Sequence, residues 1–470
     1  MITLGYFSLL GLACLVALAD WRKAIYMAIL LDFLRDPVRK MDPSESVLIT
    51  ISVLGLWAVI TVSAWMRSRN QIQIAFREHP RVFSAIRYLA IAMIPGSILS
   101  LALYQGGYKM VGLGVISYLA PFAGILLGYL ISRRPKDISG FMMFYCIVNG
   151  IALTGVIAEY SGANWPALGG LRGMEWIRYS GQETVKLIGG LYRSPDIMGL
   201  HAAQVVMFSL TLAIQKSRRQ SPIWIVLALF GCLCLLLSGR RKMLGMPLVF
   251  LAVLALLTYI RKITRVQAIV VPIVAAAALI GGVFLVATDE YVGTEYMNFA
   301  GTLFTSGVER YQEVVVGSVQ GTIIQSGVLG EGIGTATQGS YHLMQHDRRQ
   351  GRNRFSSGGW QEDGVSRIFR ELGLFGVIFV VLSAWSLIRA IMSAVQRVPA
   401  SWHGAVAQLC MISIVVANLA SFTVSHQQFS GDPPSALLVL IVLGIAFGVT
   451  SIAKARKIKQ LERRPRHSAA

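Results

Sequence analysis

The side chains best suited to chemistry lie within residues 289–372, a long polar stretch between two strongly apolar segments. This stretch contains carboxylates and imidazoles, which can accept a proton from a hydroxyl group. It also contains arginines, whose guanidinium groups bind phosphate oxygens two at a time. The candidate proton acceptors are, in order of preference, Glu362, Asp363, and then His342 or His346. The candidate cations are Arg310 and a basic run at residues 348–354.

Each of these features also has a purely structural interpretation. A carboxylate at position 362 can simply stabilise a helix N-terminus. His342 and His346 are four residues apart and would share one helix face, but with no carboxylate between them and no third ligand at matching spacing we do not predict a metal site. The glycines at positions 330, 332 and 334 allow tight turns near a sugar or phosphate, or serve as ordinary loop hinges.

The elements that must position these residues are transmembrane helices. The chain has 470 residues, of which 54% are hydrophobic and only 14% are charged, whereas soluble domains carry about 25% charged residues. Apolar runs long enough to cross a bilayer recur along the whole chain, without the short alternating segments of a barrel. We therefore predict an all-α polytopic bundle in which residues 1–470 form a single integral membrane domain.

The distribution of Lys and Arg predicts which loops share a side of the membrane. The net charge of +20 does not indicate nucleic-acid binding, because much of it lies in short loops between apolar segments. Starting from a basic, cytoplasmic linker at residues 67–87, the sides alternate through twelve or thirteen spans, depending on whether segment 24–34 crosses. Residues 159–195 and 289–372 then form long non-cytoplasmic loops, the second before the last three spans. The five cysteines lie in apolar segments and are interpreted as buried hydrophobic residues.

One basic cluster contradicts the charge rule. Arg240, Arg241 and Lys242 follow an apolar segment that the alternation brings to the non-cytoplasmic side. An anionic ligand at that surface would compensate for them, and several arginines on one face suit a diphosphate. The alternatives are a tolerated exception or side chains that snorkel to the interface. The candidate diphosphate-binding residues are Arg193, Arg240, Arg241 and Arg310. Residues 36–40 belong to the same side, either as part of this surface or as a local ion pair.

Three patches of sequence carry a resemblance to a known superfamily. The first runs from Gly189 to Gly199 and includes Tyr192-Arg193-Ser194-Pro195-Asp196; the second is Leu237-Ser238-Gly239-Arg240-Arg241; the third includes Gly307-Val308-Glu309-Arg310, the glycine cluster and Gln361-Glu362-Asp363 ahead of Glu371-Leu372-Gly373. In this order they resemble the O-antigen ligases, the O-antigen (Wzy-type) polymerases and related bacterial polysaccharide polymerases. Two positions depart from that pattern: Asp196 stands where Asn is usual, and Glu362-Asp363 where His-Asn is common.

The resemblance implies a multi-pass, GT-C-like glycosyltransferase of the bacterial inner membrane with its active face in the periplasm. Such enzymes polymerise or ligate oligosaccharides carried on polyprenyl diphosphate, during exopolysaccharide or O-antigen assembly. It implies no cofactor and no metal. The expected partners are the lipid-linked donor, a glycan or lipid-core acceptor, and chain-length regulators or export proteins. Because position 362 is Glu and not the histidine of the ligases, the resemblance favours a polymerase, or a divergent relative, over a ligase.

A transporter or flippase of the same kind of lipid is the alternative from another functional class. A transporter is expected to place ionisable groups in the middle of its spans. Here the predicted spans are nearly free of charge, and the polar residues concentrate in the two long loops. Trp165, Trp176 and Trp360 lie in those loops and suit either sugar stacking or interface anchoring.

Overall fold

Where the computed structural model describes the chain, the protein is a helical bundle with one small hairpin. The structure describes residues 2–44, 46–171, 174–180, 183–215, 220–263, 296, 309, 311–337, 340 and 362–462. The helices of the first half are α1 Ile2–Ala19, α2 Trp21–Met41, α3 Val47–Arg67, α4 Arg69–Glu78, α5 Pro80–Leu103, α6 Gly107–Leu119, a 3₁₀ turn Ala120–Phe122, α7 Ala123–Ser132 and α8 Pro135–Tyr160. Then follow β1 Trp176–Ser180, β2 Glu183–Leu187, α9 Pro195–Gln215, α10 Ser221–Leu237, α11 Arg241–Ile260, a π-helical segment Gln312–Gly317, α12 Ser318–Ser326, α13 Gly364–Arg397, α14 His403–Val424, α15 Gln427–Ser430 and α16 Pro433–Glu462.

Within these ranges, ten helices are long and apolar enough to cross a membrane. The prediction of an all-α polytopic protein is therefore confirmed, whereas the count of twelve or thirteen spans stays a prediction. It includes helix α10, which has 17 residues, and segment 267–288, which lies outside the described residues. Segment 24–34 is not a separate short piece, because it belongs to the continuous 21-residue helix α2.

Burial differs sharply between the helices and explains the position of the core. Helix α9 is the central element, since every residue of its most apolar 18-residue stretch is buried inside the protein. Helices α1 and α13 lie at the periphery, because only 17% of the corresponding stretch in each is buried. Large apolar side chains such as Leu4, Leu15 and Trp385 are exposed there. Exposed apolar surface of this extent suits contact with lipid chains.

Close helix packing in the core depends on small residues. Helices α7 and α16 pack together through Gly124 and Gly128 on one side and Gly444 and Gly448 on the other. A β-carbon at Gly128 would collide with the carbonyl oxygen of Ile441, and one at Gly444 with that of Ile125. Paired glycines four residues apart let two transmembrane backbones approach each other, where dispersion contacts replace the missing hydrophobic driving force.

Ion pairs between loops show which loops lie at the same end of the bundle. At one end Arg22 pairs with Asp137 at 3.5 Å, and Lys454 with Glu78 at 3.6 Å. At the other end Arg193 pairs with Asp36 and Arg240 with Asp196. The alternation placed Asp137, Glu78 and Lys454 on the cytoplasmic side and the residues of the second pair of contacts on the opposite side, so these contacts agree with it. The side of Arg22 depended on whether segment 24–34 crosses, and its contact with Asp137 favours a crossing. Which end faces the periplasm stays a prediction.

A two-stranded antiparallel hairpin interrupts the loop at residues 159–195, which the sequence treated as irregular. Trp176 pairs with Leu187, and Arg178 with Val185. Because side chains alternate along a strand, these four point to one face, where Val185 and Leu187 are buried. Leu187 packs over Gly239, and the amide of Ile188 donates to the carbonyl of Leu237 at 3.2 Å. The hairpin is thereby docked on the turn between α10 and α11.

Candidate functional site

A cavity of about 340 Å³ lies at the hairpin end of the bundle, between the first turns of α11 and the last turns of α14. Among the described residues, its polar lining consists of Arg178, Arg240, Arg241, Lys242, Tyr311, Glu362, Ser421 and Thr423. Its apolar wall consists of Gly245, Met246 and Val249 from α11, Ala417, Ala420 and Val424 from α14, and Val314 from the π-helical segment. The wall residues repeat at helical spacing along both helices. The cavity therefore combines a strongly cationic rim with apolar sides.

The turn before α11 places Arg240 at this rim. Ser238 and Gly239 end helix α10, and Gly239 has a left-handed backbone with φ of 57°, the conformation that commonly terminates a helix. The Ser238 hydroxyl accepts a hydrogen bond from the amide of Arg240 at 3.1 Å. The Ser-Gly-Arg pattern of the sequence is thus a compact corner that presents three consecutive basic residues to one cavity.

Arg240 itself is held by two contacts. Its Nη2 lies 2.8 Å from a carboxylate oxygen of Asp196, and its guanidinium lies 5.8 Å from the ring centre of Trp176. The Nε atom is buried and has no hydrogen-bond partner among the residues that the structure describes. A buried guanidinium donor that lacks a partner favours an anionic ligand. Trp176, considered above for sugar stacking, is positioned to orient Arg240.

Lys242 connects the two carboxylates of the site. Its ammonium nitrogen lies 3.1 Å from Asp196 and 3.3 Å from Glu362, and it donates to the hydroxyl of Ser425 at 2.6 Å. These three groups match the three donors of a lysine ammonium. The basic cluster that contradicted the charge rule is therefore partly neutralised by the protein's own carboxylates.

Glu362 and Asp363 are adjacent in sequence but have different environments. The Glu362 side chain lines the cavity and is 37% exposed, while its carbonyl accepts from the amide of His426 at 3.0 Å. Asp363 is fully buried and caps helix α13, where its carboxylate accepts from the amide of Ser366 at 2.7 Å. The helix-terminal role considered for Glu362 thus belongs to Asp363, and Glu362 is the carboxylate that a substrate can reach.

Arg193 is not among the residues that line the cavity. Its guanidinium lies 3.3 Å from Asp36 and 3.4 Å from Asp432, and its side chain is 11% exposed. Asp36 also accepts from the Arg193 amide at 3.1 Å. The structure thus brings together Arg240, Arg241 and Glu362 from the predicted set but places Arg193 in a separate ion cluster. The 36–40 segment joins that cluster through Asp36. Diphosphate binding by Arg193 stays a prediction.

This ion cluster surrounds Arg35, a residue that sequence reasoning did not single out. Arg35 is 1% exposed and lies 2.5 Å from Asp432, 3.1 Å from Asp32 and 3.9 Å from Asp36. Asp32, His201 and Asp432 approach one another closely enough to bind a metal ion. However, the guanidinium of Arg35 already contacts both aspartates and supplies the compensating positive charge. The arrangement is that of a buried structural ion cluster.

The glycine cluster at residues 330–334 fixes part of the long loop to the bundle. Ile333 is fully buried; its amide donates to Gly96 at 2.9 Å, and its carbonyl accepts from the Ser100 hydroxyl at 2.7 Å. Gly330, Gly332 and Gly334 all have positive φ angles, which favour glycine. Beside them Arg370 pairs with Glu331 at 2.8 Å, and Arg367 with Glu371 at 3.3 Å. These contacts pack the glycine cluster against α5 and α13, and a role near a sugar or phosphate stays a prediction.

The contact between Ile333 and Gly114 of helix α6 allows a matched test of this packing. A β-carbon at Gly114 would lie 2.5 Å from Ile333, whereas one at Gly112, on the same helix, would meet nothing within 4 Å. We expect Gly114→Val to lower the free energy of unfolding by about 1–3 kcal/mol, because overpacking displaces Ile333. Thermal denaturation in detergent measures the effect. Equal melting temperatures for Gly114→Val and the control Gly112→Val would contradict the packing of Ile333 against Gly114.

Several predicted site residues lie outside the described residues. These are Arg310, His342, His346, Trp360 and the basic run at residues 348–354. Conversely, the structure adds Arg178, Asp196 and Ser425 to the neighbourhood of Arg240 and Lys242. Position 196 carried a signal in the sequence, since it departs from the pattern that the chain otherwise resembles. Arg178 and Ser425 carried none.

Comparison with known proteins adds no assignment. No protein-family model matches the sequence, and no curated protein is significantly similar to it. The resemblance to O-antigen ligases and polymerases therefore stays a prediction that depends on the residues quoted above.

Proposed function

We propose that the protein is a metal-independent glycosyltransferase that polymerises or ligates oligosaccharides carried on polyprenyl diphosphate. The observation that carries the proposal is the composition of the cavity. Among the described residues, the cations Arg178, Arg240, Arg241 and Lys242 line it together with apolar side chains of α11 and α14. A ligand that joins a diphosphate to a long hydrocarbon chain matches both the cationic rim and the apolar wall of the cavity. The cations suit the diphosphate, and the apolar walls suit the first units of the lipid.

The proposed reaction is a displacement at the anomeric carbon of the donor sugar. The oxygen of an acceptor hydroxyl forms a bond to that carbon, while the bond from the carbon to the diphosphate oxygen breaks. The electron pair of the broken bond stays with the departing lipid diphosphate, and the hydroxyl proton passes to Glu362. Charge develops on the leaving diphosphate, where preorganised cations such as Arg240 stabilise it.

The proposal includes location and partners. The cavity end of the bundle is assigned to the periplasmic face of a bacterial inner membrane, because the cytoplasmic ends of membrane helices are enriched in Lys and Arg. Among the residues that the structure describes, the opposite end carries the larger number of Lys and Arg, including Arg22, Arg133, Arg261 and Lys454. The donor is a lipid-linked oligosaccharide and the acceptor a second glycan or a lipid core. Chain-length regulators or export proteins are the proposed protein partners.

The test is reconstitution into liposomes with a polyprenyl-diphosphate oligosaccharide, following both glycan length and release of lipid diphosphate. We expect Arg240→Ala to lower kcat/KM by about 10²–10³-fold, in the range that loss of one charge-stabilising donor produces. The matched control is Arg133→Ala at the opposite end of the bundle. In the described part of the chain, the Arg133 guanidinium donates to the Tyr129 hydroxyl at 2.6 Å and lies 4.8 Å from the centre of the same ring.

Two outcomes would contradict the proposal. One is that the wild-type protein releases no lipid diphosphate from any donor–acceptor pair tested. The other is that Arg240→Ala and Arg133→Ala retain equal turnover, which would remove the cavity from the reaction.

Transport of the same anionic lipid is the second candidate, because helix α2 buries Asp32, Arg35 and Asp36 inside the bundle. Ionisable groups in such positions line substrate paths in many transporters. Movement of a fluorescent lipid-diphosphate glycan between leaflets of protein-containing liposomes tests this function. Movement without any release of lipid diphosphate would favour transport over transfer.

A further inference from the structure

Asp196 holds two of the cations that line the cavity. Its carboxylate lies 2.8 Å from Arg240 and 3.1 Å from Lys242, and its side chain is 13% exposed. The residue is positioned firmly, because it stands in the first turn of the most buried helix, α9. Glu362 contacts Lys242 from the other side at 3.3 Å. Within the described part of the chain, the cavity cations Arg240 and Lys242 are therefore opposed by two carboxylates, one that lines the cavity and one that does not.

A carboxylate in this place acts against any anion that binds the same cations. A diphosphate that contacts Arg240 and Lys242 must approach Asp196 to within a few ångströms. Two negative charges at about 6 Å repel each other appreciably even at the effective dielectric of a protein surface. Asp196 thus lowers the affinity of the site for anions below what four cations alone would give.

We propose that Asp196 is a built-in counter-anion that limits the affinity of the site for diphosphate and so permits the product to leave. This inference rests on the proposed function. In the donor, both ends of the diphosphate are esterified. After transfer the terminal phosphate is free and has a second ionisable oxygen, so the lipid diphosphate product is more negative than the donor. Repulsion from Asp196 therefore acts more strongly on the product than on the donor.

The positions of the two carboxylates suggest separate tasks for them. Glu362 faces the cavity with 37% of its side chain exposed and is placed to meet the acceptor. Asp196 lies behind the cations and is not among the lining residues, so it is a positioning residue that acts through Arg240 and Lys242. Without it Arg240 and Lys242 would each lose a carboxylate contact and would attract the product more strongly.

The direct test measures binding of farnesyl diphosphate, a short polyprenyl diphosphate, to the full-length protein in nanodiscs. We expect Asp196→Asn to lower the Kd about tenfold, and Asp196→Glu, which keeps the charge, to stay within about twofold of the wild type. Asp137→Asn is the control, since it removes an equal charge from the Arg22 pair at the opposite end. If Asp196→Asn does not fold, Asp196→Ser replaces it.

Direction is the decisive feature of this test. A purely structural role for Asp196 predicts weaker binding in the neutral variant, because Arg240 and Lys242 would lose their anchor. Tighter binding supports the inference, whereas unchanged or weaker binding in folded neutral variants overturns it. If the wild-type protein itself does not bind farnesyl diphosphate, the proposed function fails, and this inference fails with it.

Steady-state kinetics provide a second readout. Asp196→Asn is expected to lower KM for the donor and also kcat, because tight product binding makes release limiting. Inhibition by added polyprenyl diphosphate should become about tenfold stronger. An increase in kcat without stronger product inhibition would overturn the role in release.

Discussion

Glu362→Gln is expected to lower kcat for glycan transfer by about 10²–10⁴-fold, the usual contribution of a positioned proton acceptor. Glutamine keeps the shape of the side chain but cannot take the proton of the acceptor hydroxyl. Lys242 retains its contacts with Asp196 and Ser425, so the cationic rim stays in place. We expect the KM for the lipid-linked donor not to rise, because the lost proton transfer belongs to the transition state and the loss of a carboxylate charge beside Lys242 strengthens the attraction for the diphosphate.

Two control variants separate this effect from a general loss of charge. Glu175→Gln removes an exposed carboxylate beside the hairpin, where Glu175 pairs with Lys186 at 3.1 Å, and should leave kcat unchanged. Asp363→Asn should also retain kcat, because asparagine caps a helix as well as aspartate does. If Glu362→Gln turns over at the wild-type rate, Glu362 is not the proton acceptor. The imidazoles of His342 and His346 then become the next residues to replace.

Arg35→Met is expected to lower the free energy of unfolding by about 3–5 kcal/mol, the range measured when one partner of a buried ion cluster is removed. The substitution leaves Asp32, Asp36 and Asp432 facing one another in a buried place, with Arg193 as their neighbouring cation. Thermal unfolding in detergent, followed by fluorescence, measures the effect. The folded fraction of the variant should keep the wild-type turnover per molecule, because Arg35 does not line the cavity.

A double variant tests the electrostatic origin of this loss. Arg35→Met combined with Asp432→Asn removes one carboxylate together with the guanidinium and should regain part of the lost stability, as a positive coupling in a double-mutant cycle. Arg22→Met is the control, since its pair with Asp137 is partly exposed and pairs of that kind contribute at most about 1 kcal/mol. Equal losses for Arg35→Met and Arg22→Met would contradict a cluster buried from solvent.

The described part of the long polar stretch at residues 289–372 contributes to the packing of the bundle through its glycine cluster. Its glycine cluster was interpreted as a turn near a sugar or phosphate, or as a hinge. In the structure Ile333 is buried against Gly96 and Gly114, and Glu331 pairs with Arg370. The sequence could not distinguish these roles, because a positive φ suits a glycine equally at a ligand or against another helix.

The sequence by itself determined that the protein is a polytopic helical protein and indicated which loops lie at the same end of the bundle. Apolar length fixes which segments can cross a bilayer, and the placement of Lys and Arg separates their ends. That rule also exposed Arg240 and Arg241 as exceptions, and both line the cavity. The tertiary structure alone decided that Glu362 reaches this cavity while Asp363 caps α13, and that Arg193 belongs to the cluster around Arg35. The physical reason is that charge and hydropathy are properties of single segments, whereas the partner of a side chain depends on how distant helices pack.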